Sequence, residues 1–225
     1  MRDMDRKYNI INWLFYVVFV GLGIALSTKA DFGLSMIAAP PYILHLWLRD
    51  SFSWFTQGTS EYVWEAFLLL VMCLIVRRFR PAYLLSFVTA VISGFVIDGW
   101  LWVFGGNAPY ADMVTRIAAF AAGTVITALG VACSFRTTLP LQAYELVVKE
   151  VADRFQSPIA KIKQGFDILM FVISVVLALL LTGGFNGVGI GTVVITVVNS
   201  TIIMLWGKLV DKVEGMEANN HSKPE

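Results

Sequence analysis

Charge is scarce in this chain. Asp, Glu, Lys and Arg make up 15% of its 225 residues, against about 25% in a soluble domain. No sizeable solvated domain can be built from so little. Cysteine is scarce too. Cys73 and Cys133 are the only two, and without CxxC spacing they form neither a metal framework nor a disulfide scaffold. Both lie in apolar runs, where a small core residue is expected. The two histidines lack zinc-ligand spacing. No nucleophile triad and no nucleotide-binding loop is present; the turn "GGFNG" at 183–187 has no phosphate-loop context. The sequence therefore points to no enzyme, no cofactor and no metal. A net charge of +1 gives no basic field for nucleic acid.

Apolar residues, in contrast, are abundant and come in blocks. They form 57% of the chain, and the mean hydropathy is +0.72. A hydrocarbon core about 30 Å thick takes about 20 helical residues to cross. Six runs suit this, near 9–27, 62–77, 82–104, 116–134, 165–182 and 187–207. The first run is too long for a signal peptide and lacks a small-residue cleavage site, so it reads as a retained span.

Lys and Arg in short loops set orientation. With the N-terminus inside, the inner segments hold Arg2, Arg6, Lys7, Arg77, Arg78, Arg80, Arg136, Lys149, Arg154, Lys161, Lys163, Lys208, Lys212 and Lys223. The outer segments hold Lys29, Arg49 and Arg116. This bias places both termini in the cytoplasm.

Two segments do not fit the count. "DFGLSMIAAPPYILHLWLRD" (31–50) is apolar but short and is interrupted by Pro40-Pro41. "TTLPLQAYELVVKEVADRFQSP" (137–158) carries too many charges to cross lipid. If either crossed, the charge bias would collapse, so both are expected as re-entrant or interfacial helices. Each half then reads span, short segment, span, span. Three spans is an odd number, so the second half is inverted relative to the first, as in many secondary transporters. The expected fold is an all-α membrane protein of six transmembrane helices in two inverted three-span repeats. Repeat one covers 9–104 and repeat two 112–210, inside one membrane domain at 9–210 with cytoplasmic tails at 1–8 and 211–225.

Within these spans a few polar groups stand out. "VWEAFLLLVMCLIV" (63–76) has one polar residue, Glu65. Asp167 recurs at the matching point of the second half, and inversion would put the pair near opposite faces. Intramembrane acids are costly and suggest function. Both also lie near helix starts, where Ser60 and the Ser157-Pro158 pair could cap and the dipole favours a carboxylate. Asp98, in "SGFVIDGWLW", is expected to face the interior or a watery cavity, with polar partners from the first short segment or from span two, Glu65 among them. Asn199 heads a polar cluster that could equally serve interhelical hydrogen bonds. Gly33 and Ser35 of the first short segment, and Gln142 and Glu145 of the second, complete the candidate solute or ion site. His45 reads as a satisfied polar residue. Trp47, Trp54, Trp64, Trp100 and Trp102 read as an interfacial belt.

"ALSTKADFGLSMIAAPPYIL", the acid early in the second span of each half, and "GVGIGTVV" resemble the YczE/YitT-like family of bacterial integral membrane proteins over about residues 10–210. Gly33 and Ser35 match that family's first short segment, whereas Met36 stands where proline is usual. Pro140 is the nearest counterpart of its second motif. The resemblance implies a fold and a bacterial inner membrane, not an activity. The function expected from the residues is a small secondary transporter or permease for a small polar solute, proton-coupled through Asp98, Glu65 or Asp167. The alternatives are a substrate-binding subunit of a multicomponent transporter and a non-transporting accessory protein. Solute and membrane lipid are the expected partners, and a homo-oligomer is left open.

Overall fold

The computed structural model of the chain describes residues 2–221, with side-chain environments for 8–158 and 161–212. Lys223 lies outside the described residues, as do the side chains of Arg2, Arg6 and Lys7. The helices are α1 (Arg2–Ala30), α2 (Ala39–Leu48), α3 (Gln57–Val76), α4 (Tyr83–Val103), α5 (Met113–Ser134), α6 (Ala143–Phe155), α7 (Ile159–Leu177, continued by a π-helical turn at Ala178–Thr182) and α8 (Ile190–His221). No strand occurs among the described residues.

Six of these helices are long and apolar enough to cross a membrane, over Tyr8–Ala30, Gln57–Val76, Tyr83–Val103, Met113–Ser134, Lys161–Thr182 and Ile190–Lys212. The protein is therefore read as a multi-pass membrane protein. α2 has 10 residues and α6 has 13, about 15 and 20 Å of helix. Neither can cross a 30 Å core alone.

Local chemistry sets the boundaries. α3 starts five residues before the apolar run because Thr56, extended at ψ 172°, accepts the amide of Thr59 at 3.0 Å. This is the N-cap that Ser60 was expected to supply. α3 ends at Arg77 in the left-handed region (φ 54°), and Pro81 follows in the turn to α4. Asp112 caps α5 through the Thr115 amide at 2.9 Å, and that amide holds the exposed carboxyl below its ordinary value. α2 begins with Pro40 and Pro41, whose missing N–H groups cost nothing in a first turn. Pro158, rather than Ser157, occupies the N-cap of α7.

Alternation of long helices gives the bundle an N-terminal face and an opposite face. At the N-terminal face Asn9 bonds Thr137 and Thr138, and Arg136, two residues past the end of α5, bridges to Asp211 of α8. At the opposite face Arg116 binds Asp31 and the carbonyl of Ala30. α1 packs along α5, and α4 along α1 and α3. Small residues permit the closest crossings. A Cβ on Gly23 would stand 1.9 Å from Thr127 Oγ1, and one on Gly58 2.0 Å from the Gly94 carbonyl.

α2 touches α3 and α7, whereas α6 touches α3, α4 and α7. α8 packs on α5, and no contact joins it to α7 among the described residues. One apolar core gathers Tyr16, Ile24, Leu34, Ile43, Ile97 and Cys133; a second gathers Trp64, Leu68, Met72, Val147 and Met170 around α3, α6 and α7.

Candidate functional site

Asp98 sits near the end of α4 beside the start of α3. Its Oδ2 accepts from Thr56 Oγ1 at 2.6 Å and its Oδ1 from the Gly58 amide at 2.8 Å. These are lengths of charge-assisted bonds, made to the positive end of the α3 dipole. Asp98 is thus half-buried against span two, as expected, but its partners are Thr56 and Gly58, while Glu65 bonds elsewhere.

Glu65 is the ninth residue of α3, about 12 Å from its start and about 16 Å from Val76 at 1.5 Å per residue. There its Oε2 accepts the amide of Ala143, the first residue of α6, at 2.8 Å. At the other end of α6, Glu150 pairs with Arg80 in the α3–α4 turn at 3.2 Å. α6 therefore runs from mid-bundle depth to the N-terminal face, its amide end inward. The chain reaches that depth through Pro140, whose carbonyl takes bonds from Thr89 (2.8 Å) and Trp13 (3.2 Å). Gln142 then accepts from the buried Tyr16 hydroxyl at 2.9 Å.

Three carboxyl groups meet there. Glu61 lies one turn before Glu65 on the same face of α3, and both are almost fully buried. Glu145 follows two residues after Ala143. All three are within electrostatic range of Tyr16, and Glu65 is within range of Glu61 and Glu145. The site also carries unspent polarity. Gln142 Nε2, Glu145 Oε2 and Trp64 Nε1 are buried without a hydrogen-bond partner among the described residues. An unmade buried hydrogen bond costs about 1–3 kcal/mol. Glu145 also lines a cleft of about 540 Å³ between α4 and the 137–150 segment, walled by Tyr83, Ser86, Thr138 and Leu141.

Asp167 is the ninth residue of α7, as Glu65 is of α3. It accepts from the hydroxyl of Tyr144 and from Lys163 at 3.3 Å. Tyr144 is the second residue of α6. Glu65 and Asp167 therefore serve adjacent residues of α6 and do not sit at opposite faces, because α6 inserts between the two helices that carry them. Gly33 (φ 99°), Ser35 and Asn199 form a different place. Gly33 lies against Gly189 and Thr192. Ser35 and Asn199 line a cavity of about 20 Å³ with Ala38, Thr124 and Thr127, room for about one water. Asn199 Oδ1 is buried without a partner among the described residues. Among the described residues no three His, Cys, Asp or Glu side chains are grouped so as to hold a metal ion.

A protein-family model described as "Family of unknown function (DUF6198)" matches residues 7–208. The chain belongs to this family. It is also similar to "Uncharacterized protein YyaS" of Bacillus subtilis (strain 168), at 24% identity over 202 residues, covering 87% of this chain and 90% of that protein. No solved structure matches with comparable significance.

This DUF6198 chain holds functional candidates that its apolar pattern concealed. Glu61 and Tyr16 belong to the acid cluster; the i, i+4 spacing of Glu61 and Glu65 was the available signal. Trp64 is buried against α6 and leaves the aromatic belt, while Trp54 and Trp102 remain exposed. At the opposite face a polar network joins four segments. Gln57 bonds Thr28 at 2.8 Å, and Asn107 bonds both Gln57 (2.8 Å) and His45 Nε2 (3.2 Å). His45 Nδ1–H donates to the Phe55 carbonyl at 2.9 Å. Burial pushes the His45 imidazole below its ordinary value, in keeping with this neutral arrangement.

Proposed function

We propose that this DUF6198 member is a proton-coupled secondary transporter for a small polar solute, built from two inverted halves. The observation that carries the reading is the amide end of α6 held at mid-bundle depth by Glu65, beside Glu61 and Glu145, with a cleft leading to Glu145. A helix end at membrane depth is tolerated where protein or a watery cavity satisfies it, and transporters place such ends at their ligand sites. α6 is then re-entrant, and α2 is its counterpart.

Packing supports the repeat. Exchanging α1–α4 with α5–α8 keeps α1·α5, converts α1·α4 to α5·α8 and α2·α3 to α6·α7, and converts α2·α7 to α6·α3. All of these contacts exist. The exchange fails at α3·α4, where Gly58 and Gly94 permit a crossing that α7 and α8 do not make, and at α4·α6, whose counterpart α8·α2 is absent among the described residues. The positive-inside bias places the N-terminal face in the cytoplasm, so the cleft opens inward and the Gln57–Asn107–His45 network closes the outside. The YczE/YitT-like character of the first short segment fits the same architecture.

The test is flux in proteoliposomes carrying a pH-sensitive dye, against a panel of small polar solutes. A transported solute should move protons, and Glu65→Gln, which can still accept from Ala143, should keep solute exchange while losing proton movement. Uptake indifferent to the proton gradient, or proton movement retained by E65Q, refutes the coupling. In a Cys73→Ser, Cys133→Ser background, single cysteines at Arg78 and Asn107 should label from opposite sides. Labelling from one side only refutes the topology.

A further inference from the structure

We propose that the α3–α6 junction binds a small organic ammonium ion that also carries a hydrogen-bond acceptor; this names the solute class of the transporter reading and rests on it. Charge comes first. Glu61, Glu65 and Glu145 share one buried region, and no salt bridge reaches any of them among the described residues. Lys163, within electrostatic range of Glu145, is spent on Asp167 and the Tyr144 hydroxyl, while Arg80 in the cleft wall pairs with Glu150 and Lys149 lines the same wall. An ammonium ion would pair with a carboxylate here, and a buried carboxyl group stays ionised only when it is paired; an anion would not.

The unspent atoms narrow the class. Glu145 Oε2 is a buried acceptor awaiting a donor, and Gln142 Nε2 and Trp64 Nε1 are buried donors awaiting an acceptor. Gln142 is tied by its other amide atom to Tyr16 and precedes Ala143, which serves Glu65. Its free NH₂ group is therefore held beside the Tyr16 hydroxyl. Trp64 precedes Glu65 on α3 and is buried in the core shared with α6 and α7. A proton alone would satisfy Glu145 and leave both donors unmet. A bare metal ion has no set of three grouped ligands to meet. A molecule with ammonium N–H groups at one end and a hydroxyl or carbonyl oxygen at the other supplies a donor for Glu145 and an acceptor for Gln142. The cleft beside Glu145 supplies the approach from the N-terminal face.

The test is calorimetric titration of the full chain in detergent micelles at pH 7, with ethanolamine as the probe and ethylene glycol and glycolate as its neutral and anionic comparators. Ethanolamine alone should bind saturably. Glu145→Gln should weaken it at least tenfold. Gln142→Ala, which leaves every carboxylate in place, should weaken it several-fold and carries the test if E145Q does not fold. Comparators that bind as tightly as ethanolamine, no ethanolamine heat up to millimolar concentration, or parental affinity in folded Q142A overturn the site. Because binding is read without a gradient, the two readings separate. Ethanolamine that binds but is never moved across liposomes sinks the transporter and leaves the site. Proton-driven movement of another solute with no ethanolamine binding sinks the site and leaves the transporter.

Discussion

Replacing Asp98 by alanine removes two short bonds at once, one from Thr56 Oγ1 at 2.6 Å and one from the Gly58 amide at 2.8 Å. A bond to a charged group contributes about 1.5–3 kcal/mol. Thr56 keeps its own cap on Thr59, and half-buried Asp98 leaves room for water to recover part of the loss. The helix-end charge adds a further 0.3–1 kcal/mol or so. We therefore expect Asp98→Ala to destabilise by about 2–3 kcal/mol in denaturant titration of the protein in micelles. Asp98→Asn keeps an acceptor for Gly58 but loses the charge, and should cost about 1 kcal/mol on the same scale. In a cycle with Thr56→Val the two losses should fall short of additivity by about 1 kcal/mol, because each mutant removes the shared bond. An alanine variant within about 0.5 kcal/mol of the parent, the range of ordinary surface changes, would refute Asp98 as the anchor of α3. An asparagine variant that is stable but loses proton-driven uptake would return it to the coupling machinery.

Gly58→Ala should destabilise by about 1–3 kcal/mol or more, since its Cβ would meet a backbone carbonyl that cannot yield, whereas Gly99→Ala, with open space around it, should be neutral or slightly stabilising in the same titration. Arg136 ties α5 to α8 through the Gly207 carbonyl at 2.6 Å and Asp211; Arg136→Ala should accelerate hydrogen exchange in α8 well before α1. His45 has a folded value below its unfolded one of about 6.5. The unfolded chain then takes the proton first, so stability is full above about pH 6.5 and declines as pH falls through that value toward the folded one. His45→Gln should flatten that decline in a pH series of unfolding midpoints.

The six long helices were legible because each is a continuous apolar run, and the two short ones because proline or charge forbids a crossing. What stayed hidden depends on which helix meets which. Asp98 and Glu65 look like partners in sequence, both being acids in neighbouring spans. The structure gives each a helix end of its own, and a helix end has no residue signature pointing to its distant cap. Glu65 and Asp167 occupy matching registers, which the sequence shows. Their convergence on Ala143 and Tyr144 follows from the insertion of α6, which it does not. Glu61 was overlooked because Ser60-Glu61-Tyr62 reads as the polar head of a span, until Thr56 is seen to start α3 earlier.

The seats of the two short helices have a consequence for the order of assembly. α6 is received by α3 and α4, already made when it leaves the ribosome. α2 meets α3 early, but its lead-in residue Leu34 bonds the carbonyl of Gly187 and its other neighbour is α7. The earliest short helix must wait, unsettled, for a turn made about 150 residues later. Synthesis of the first four helices alone leaves α2 without its clasp, so a chain cut between α4 and α5 needs its other fragment in the same membrane before either half is complete.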